Sequence, residues 1–111
     1  MTQLDYTART HMCNDLNLDS LGQNVLLCGW IHRRRDHGGV IFCDLRDKTG
    51  LVQLVFNPDF KDFKLAESLR SEFVVCAHGI VSKRPAGQDN PNMDTGDIEI
   101  VIDDFQILSK S

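Results

Sequence analysis

The feature that most constrains this chain is a change of hydrophobic period, from two to between three and four and back again. From Val40 to Phe56 apolar residues alternate with polar ones, broken only at Asp47-Lys48-Thr49-Gly50. Alternation of this kind is the mark of half-buried strands, and the break is a hairpin loop. Ile41, Cys43 and Leu45 form the apolar face of a strand over Val40–Asp47, and Val52, Leu54 and Phe56 that of a strand over Leu51–Phe56. A strand over about Asn24–Arg34 precedes them, apolar on both sides at first and therefore covered on both. Gly29 within it predicts a bend or a close backbone approach, and Asp36-His37-Gly38-Gly39 a turn. The period then lengthens. Phe60, Phe63, Ala66, Leu69 and Phe73 predict a helix opened by Asn57-Pro58-Asp59, with Asp59 as N-cap and Lys61, Asp62, Lys64, Glu67 and Arg70 on its wet side. Strands over about Phe73–Lys83 and from Gly96 onward complete the pattern, the last with Ile98, Ile100 and Ile102 inward. Between them lies a polar loop from Arg84 to Asn92, expected to be mobile without a ligand. Residues 1–23 are a lead-in with apolar points at Leu4, Tyr6, Met12, Leu16, Leu18 and Leu21 and one helical turn near Asn14–Asn17.

The expected order is thus β-β-β-α-β-β, all-β with one helix. It is the order of the OB-fold, a five-stranded Greek-key barrel whose strand 2–3 face and loops after strands 1 and 4 bind oligonucleotides or oligosaccharides. Other small α+β folds share this order. A chain of 111 residues allows one domain, here 24–111 after the 1–23 lead-in, and leaves no room for a nucleotide-activating catalytic domain. No run of about 20 apolar residues is present, so no membrane helix is expected, and the first residues lack a secretory signal pattern. The four cysteines, at 13, 28, 43 and 76, form no C-x-x-C and no zinc-finger spacing with a histidine. Three of them fall in apolar runs, which favours reduced, buried thiols in a reducing cytoplasm over a disulfide or a metal site.

Twelve Lys and Arg against 16 Asp and Glu give a net charge of −4, unlike a general nucleic-acid binder. The basic charge is concentrated, however, in Arg33, Arg34 and Arg35, with Arg46 and Lys48 close behind. Any polyanion must be met at that one locus. Phe42 is the anomaly of the second strand. It lies on the face of Asp44 and Arg46, so it is either covered by another element or presented to a ligand. A tight turn at 47–50 sets Arg46 opposite Leu51 and Phe42 near Val55, with Gln53 diagonal to the ring and on the same outer face. A ring and an amide side by side suit a stacked base and its edge. Guanidinium groups at Arg33 and Arg35 suit phosphate. Glu99 points away from the apolar face of the last strand and can accept from a base edge. His32 and His78 read as structural. No Ser/His/Asp arrangement, phosphate-cradling glycine loop or paired carboxylates argue for catalysis within the chain, and no metal site is expected.

The run Leu27-Cys28-Gly29-Trp30-Ile31-His32-Arg33-Arg34-Arg35-Asp36-His37-Gly38-Gly39-Val40-Ile41-Phe42-Cys43-Asp44-Leu45-Arg46-Asp47 strongly resembles the N-terminal domain of bacterial aspartyl-tRNA synthetases. Leu51-Val52-Gln53 and Met93-Asp94-Thr95-Gly96-Asp97-Ile98-Glu99-Ile100 continue the likeness, which extends from about Thr10 to Leu108. The resemblance implies an OB-fold that binds the tRNA anticodon. Phe42 would stack on the middle base, a uridine, and Gln53 would hydrogen-bond it. Glu99 would read a flanking base, and Arg33 and Arg35 would contact the backbone or the third base, with Arg34 less securely placed. His37 stands where relatives restricted to aspartate tRNA commonly carry an aliphatic residue. His37 and Gly87 resemble the relaxed relatives that also accept asparagine tRNA. The implied partners are the anticodon stem-loops of tRNA(Asp) and tRNA(Asn). The implied whole is a cytoplasmic, homodimeric class II ligase that uses ATP and Mg²⁺ in a C-terminal domain; this chain alone would be a monomer that needs no cofactor. A module for other single-stranded nucleic acid or for a protein partner is the alternative.

Overall fold

The computed structural model describes residues 8–110. The expectations for Leu4 and Tyr6 lie outside them. Five strands are present: β1 (Asn24–His37), β2 (Val40–Asp47), β3 (Gly50–Phe56), β4 (Val74–Lys83) and β5 (Ile98–Ser109). They close into a barrel in the order β1-β2-β3-β5-β4. Every neighbouring pair is antiparallel except β3 and β5, where Leu54 and Val55 run parallel to Ile100 and Val101. This is the five-stranded OB barrel that the period changes predicted. The β2–β3 register also follows the sequence, with Arg46 opposite Leu51, Asp44 opposite Gln53 and Phe42 opposite Val55.

The inward faces meet in one core, in which Leu27, Ile31, Leu45, Leu54 and Ile100 are wholly buried. Phe56, Phe60 and Phe105 form a ring cluster with centroids 5.2–5.8 Å apart. Gly29 is required where β1 crosses close to β2, because a Cβ there would strike the carbonyl oxygen of Arg46.

The expected helix is much shorter than its apolar stripe. Only Phe63–Ala66 forms an α-helical turn, α1, with Asp62 rather than Asp59 at its N-cap and no side-chain cap bond. The flanking bonds skip three residues rather than four, as in Phe63 N to Phe60 O and Leu69 N to Ala66 O. Those tighter turns still bury Phe60, Ala66 and Leu69. The stripe therefore reported burial over the barrel mouth correctly, but not helix length.

Among its described residues the lead-in has 3₁₀ turns at Cys13–Asp15 and Leu18–Ser20, in place of one turn near Asn14–Asn17. It is tied to the barrel by bonds from Cys13 N to Asp47 Oδ2 (2.8 Å) and from Asn14 N to Thr49 Oγ1 (3.0 Å). One cysteine expectation is corrected. Cys28 and Cys76 stand opposite each other on β1 and β4 and form a disulfide. Alternation put both in apolar runs but could not show that the β1–β4 register makes them partners. Cys13 and Cys43 are free and buried as expected, and burial pushes the Cys43 thiol up to about 12. No helix is long and apolar enough to cross a membrane among the described residues.

Candidate nucleic-acid interface

Strand alternation delivers Arg33, Arg35, Phe42, Asp44 and Gln53 to one outer face. Arg33 is paired with Asp44 and Arg35 with Phe42 across β1–β2, and Asp44 with Gln53 across β2–β3. A register shift between Ile31 and Arg33 carries the arginine run onto this face. The loop between β4 and β5 closes the other side. Together they enclose an open groove of about 620 Å³, lined among others by Arg33, Arg35, His37, Phe42, Gln53 and Arg84. Phe42 is half-buried, and its ring is part of the groove wall.

Gln53 departs from the expectation of a wet amide, being only 6% exposed. Its neighbours explain why. Arg35 Nη2 donates to Gln53 Oε1 at 2.8 Å, while Gln53 Nε2 donates to Glu99 Oε1 at 3.2 Å. Arg35 also donates to both Asp44 oxygens, at 3.0 and 3.4 Å. An arginine has no acceptor, so the amide oxygen must face it. Gln53 therefore cannot flip. Each of its polar atoms keeps one unused valence, a lone pair on Oε1 and a hydrogen on Nε2.

Glu99 lies behind Gln53, 9% exposed, rather than on the groove wall. Burial raises its carboxyl above the ordinary value, while the Gln53 bond and the charge of Arg84 act in the opposite direction. Arg84 is 7% exposed. Its Nε donates to Ile98 O at 2.9 Å and its Nη2 approaches Met93 Sδ at 3.7 Å. Burial pulls its pKa down, and the Asp44 and Glu99 carboxylates oppose that shift. The result is a set of opposite charges at the groove floor, with Asp44, Glu99 and Arg84 buried and Arg35 part-exposed at its edge. Arg34 is elsewhere, on the opposite side of β1. Its Nε and Nη2 donate to the two Asp36 oxygens, both at 2.8 Å, and its Nη1 to the carbonyls of Glu67 and Leu69 at 2.5 and 2.9 Å. It clamps the end of the α1 region and does not line the groove.

Of the residues singled out from sequence, Arg33, Arg35, His37, Phe42 and Gln53 are brought together, and Glu99 joins them through Gln53. Gly87 is in the β4–β5 loop at φ 82°, a conformation that favours glycine, next to the groove residue Gln88. Sequence reasoning passed over Asp44 and Arg84. Asp44 could have been found from its place between Phe42 and Arg46; Arg84 offers only its position directly after a strand. Among the described residues, no group of three or more His, Cys, Asp or Glu side chains is placed to hold a metal ion.

A closed barrel with an aromatic and a cationic groove across its β2–β3 face defines a nucleic-acid-binding OB module. The comparisons agree: residues 25–108 match the tRNA anti-codon family profile, described as an OB-fold nucleic acid binding domain, and the chain belongs to that family. It is 56% identical over 105 residues to an Aspartate--tRNA(Asp/Asn) ligase of Magnetococcus marinus, covering 93% of this chain and 17% of the relative. It is 52% identical over 103 residues to the protein of the same name in Ruthia magnifica, covering 93% and 18%. The chain thus spans under a fifth of the length of the curated relatives it matches. Among solved structures it is similar to asparaginyl-tRNA synthetase from Pyrococcus horikoshii, with 26% identity, a TM-score of 0.77, and coverage of 92% of this chain and 23% of that one.

Proposed function

We propose that this chain is the anticodon reader of an aspartate–tRNA ligase of the kind that serves both aspartate and asparagine tRNA. One observation carries the reading: Phe42 lies in an open groove beside an amide whose orientation is fixed by Arg35 and Glu99. The ring stacks on the middle anticodon base. The free lone pair and hydrogen of Gln53 then meet the N3–H and the O4 carbonyl of uridine. Cytosine reverses donor and acceptor at those positions, and a pinned amide cannot turn to follow. Glu99 orders Gln53 from behind and bears on the bases through that amide. Arg33 and Arg35 meet the backbone or the third base.

The third base is where aspartate and asparagine anticodons differ. His37 ends β1 at the groove, and Gly87 leaves the facing loop without a side chain. This supports tolerance at that base, as do the names of the relatives. In the whole protein, the ATP- and Mg²⁺-dependent attachment of aspartate belongs to the remaining length. Among the described residues no group of three or more His, Cys, Asp or Glu is placed for the ion, and no step passes through either group. The whole protein acts in the cytoplasm as a homodimer, and this chain alone is a monomer.

The test is titration of an aspartate anticodon stem-loop RNA with the chain and with Phe42→Ala. Loss of a stacked base costs about 1–3 kcal/mol. Unchanged affinity in a folded Phe42→Ala would remove the stacking role. Charging of asparagine tRNA by the complete protein tests the dual specificity, and failure to charge it would restrict the reading to aspartate.

A further inference from the structure

The arginine run divides three ways, and the division exposes a second cationic site. Arg35 is spent on Asp44 and Gln53, and Arg34 on Asp36 and the carbonyls of Glu67 and Leu69. Arg33 is exposed and makes no hydrogen bond or ion pair with the described residues. It lines the Phe42 groove and also a separate cleft of about 430 Å³ on the other side of β1, with Arg34, Asp36, Leu69, Arg70 and Ser71. Arg70 is held there by its Nη1 alone, which donates to the carbonyls of Glu67 at 3.1 Å and Leu69 at 2.8 Å. Its Nε and Nη2 make no hydrogen bond among the described residues. The one carboxylate lining the cleft, Asp36, already has both oxygens on Arg34, whose hydrogen bonds, and then its charge, hold it below the usual carboxylate range. Three guanidinium groups thus line a cleft whose one lining carboxylate is already matched, with Glu67 acting on Arg34 from outside it. The cationic excess lies beside a serine hydroxyl in a chain whose net charge is −4.

We infer that this cleft is a phosphate-binding site for the RNA strand that leaves the Phe42 groove, with Arg33 bridging the two sites and Arg70 and Ser71 gripping a phosphodiester beyond the bases being read. The inference rests on the anticodon-reading proposal for the choice of ligand. It assigns a distinct role to residues outside that groove. The cleft is lined by guanidinium groups and has no aromatic ring to stack a base, so it contributes affinity and register without sequence preference. Arg34 contributes indirectly. By holding the carbonyls of Glu67 and Leu69 it keeps Arg70 beside β1.

The test is the affinity of an aspartate anticodon stem-loop RNA for the chain, measured across a series of salt concentrations. Arg70→Gln should weaken binding about three- to tenfold at low salt and make the slope of log K against log[salt] shallower by about 0.7–1, the signature of one lost phosphate contact. It should leave the preference for uridine over cytosine at the middle position unchanged. Ser71→Asp, which leaves the backbone bonds of Arg70 intact, should weaken binding in the same direction and decides the matter if Arg70→Gln folds poorly. Phe42→Ala should behave oppositely, losing affinity with no change of slope. Wild-type affinity and slope in Arg70→Gln, with Ser71→Asp equally silent, would overturn the inference. Full binding by Phe42→Ala with a flattened slope in Arg70→Gln would instead remove the base-reading groove and keep the phosphate cleft.

Discussion

Two polar surfaces of this barrel look alike in sequence and differ in kind. On the β4–β5 hairpin, outward side chains pair in the open. His78 Nδ1 contacts Asp103 Oδ1 at 2.6 Å, and Lys61 Nζ, reaching over from the segment before α1, contacts Asp104 Oδ1 at 3.4 Å, with side chains 35–61% exposed. Across β2, β3 and the start of β5, Asp44, Gln53 and Glu99 are 6–9% exposed and are bonded into one row through Arg35, whose own side chain is 36% exposed at the groove. The difference comes from the loop that follows β4. It brings Arg84 over the row, and its backbone is itself tied by Arg84 N to Asp97 O (3.0 Å) and Asn90 N to Gly96 O (2.9 Å). An exposed pair is free to move and contributes little. A covered row fixes every donor and acceptor before a ligand arrives, and leaving any member unpaired is costly.

The largest expected effect falls where the row meets the groove. Gln53→Ala should destabilise the chain by about 1–3 kcal/mol in denaturant melts, because Arg35 and Glu99 lose their shared partner inside a covered site. It should also weaken the anticodon stem-loop. A melt indistinguishable from wild type would mean that the row is looser than its distances indicate. Arg35→Gln comes next. It frees the amide oxygen, so the uridine preference should narrow several-fold while Asp44 is left uncompensated. Unaltered preference in that variant would show that the arginine does not orient Gln53.

Glu99→Gln sharpens the comparison through pH. The Glu99 carboxyl titrates higher in the folded chain than its ordinary 4.5, because burial disfavours the charge. Its contribution is therefore complete below 4.5 and declines as pH rises through the raised folded value. The stability of the wild type relative to Glu99→Gln should fall across that window, as followed by thermal melts. A difference that does not vary with pH would contradict the burial. The smallest effect belongs to the open surface, where Asp103→Ala should change stability by less than about 0.5 kcal/mol and leave RNA binding as it was.

The same contrast explains what could be read from the residues alone. Barrel order and β2–β3 register were legible because a two-residue period and one tight turn leave little freedom. Phe42 and Gln53 were placed together on that basis. The burial of Gln53 was not legible, since it depends on Arg84, which arrives from a loop with no periodicity. Nor was the separate task of Arg34, because the register shift before Arg33 sets which face each arginine of the alternating run takes, and sequence does not show that shift. The short α1 and the Cys28–Cys76 bridge escaped for a related reason: burial pattern reports which side is covered, not which backbone bonds or cross-strand partners do the covering.

The account stands on a ring and an immobilised amide that together distinguish one pyrimidine from another. The direct measurement is the affinity of the wild-type chain for two anticodon stem-loops identical except for uridine or cytosine at the middle position. A pinned Gln53 predicts that cytosine binds about tenfold or more weakly, the discrimination of one well-placed pair of hydrogen bonds. Equal affinity for the two would contradict it.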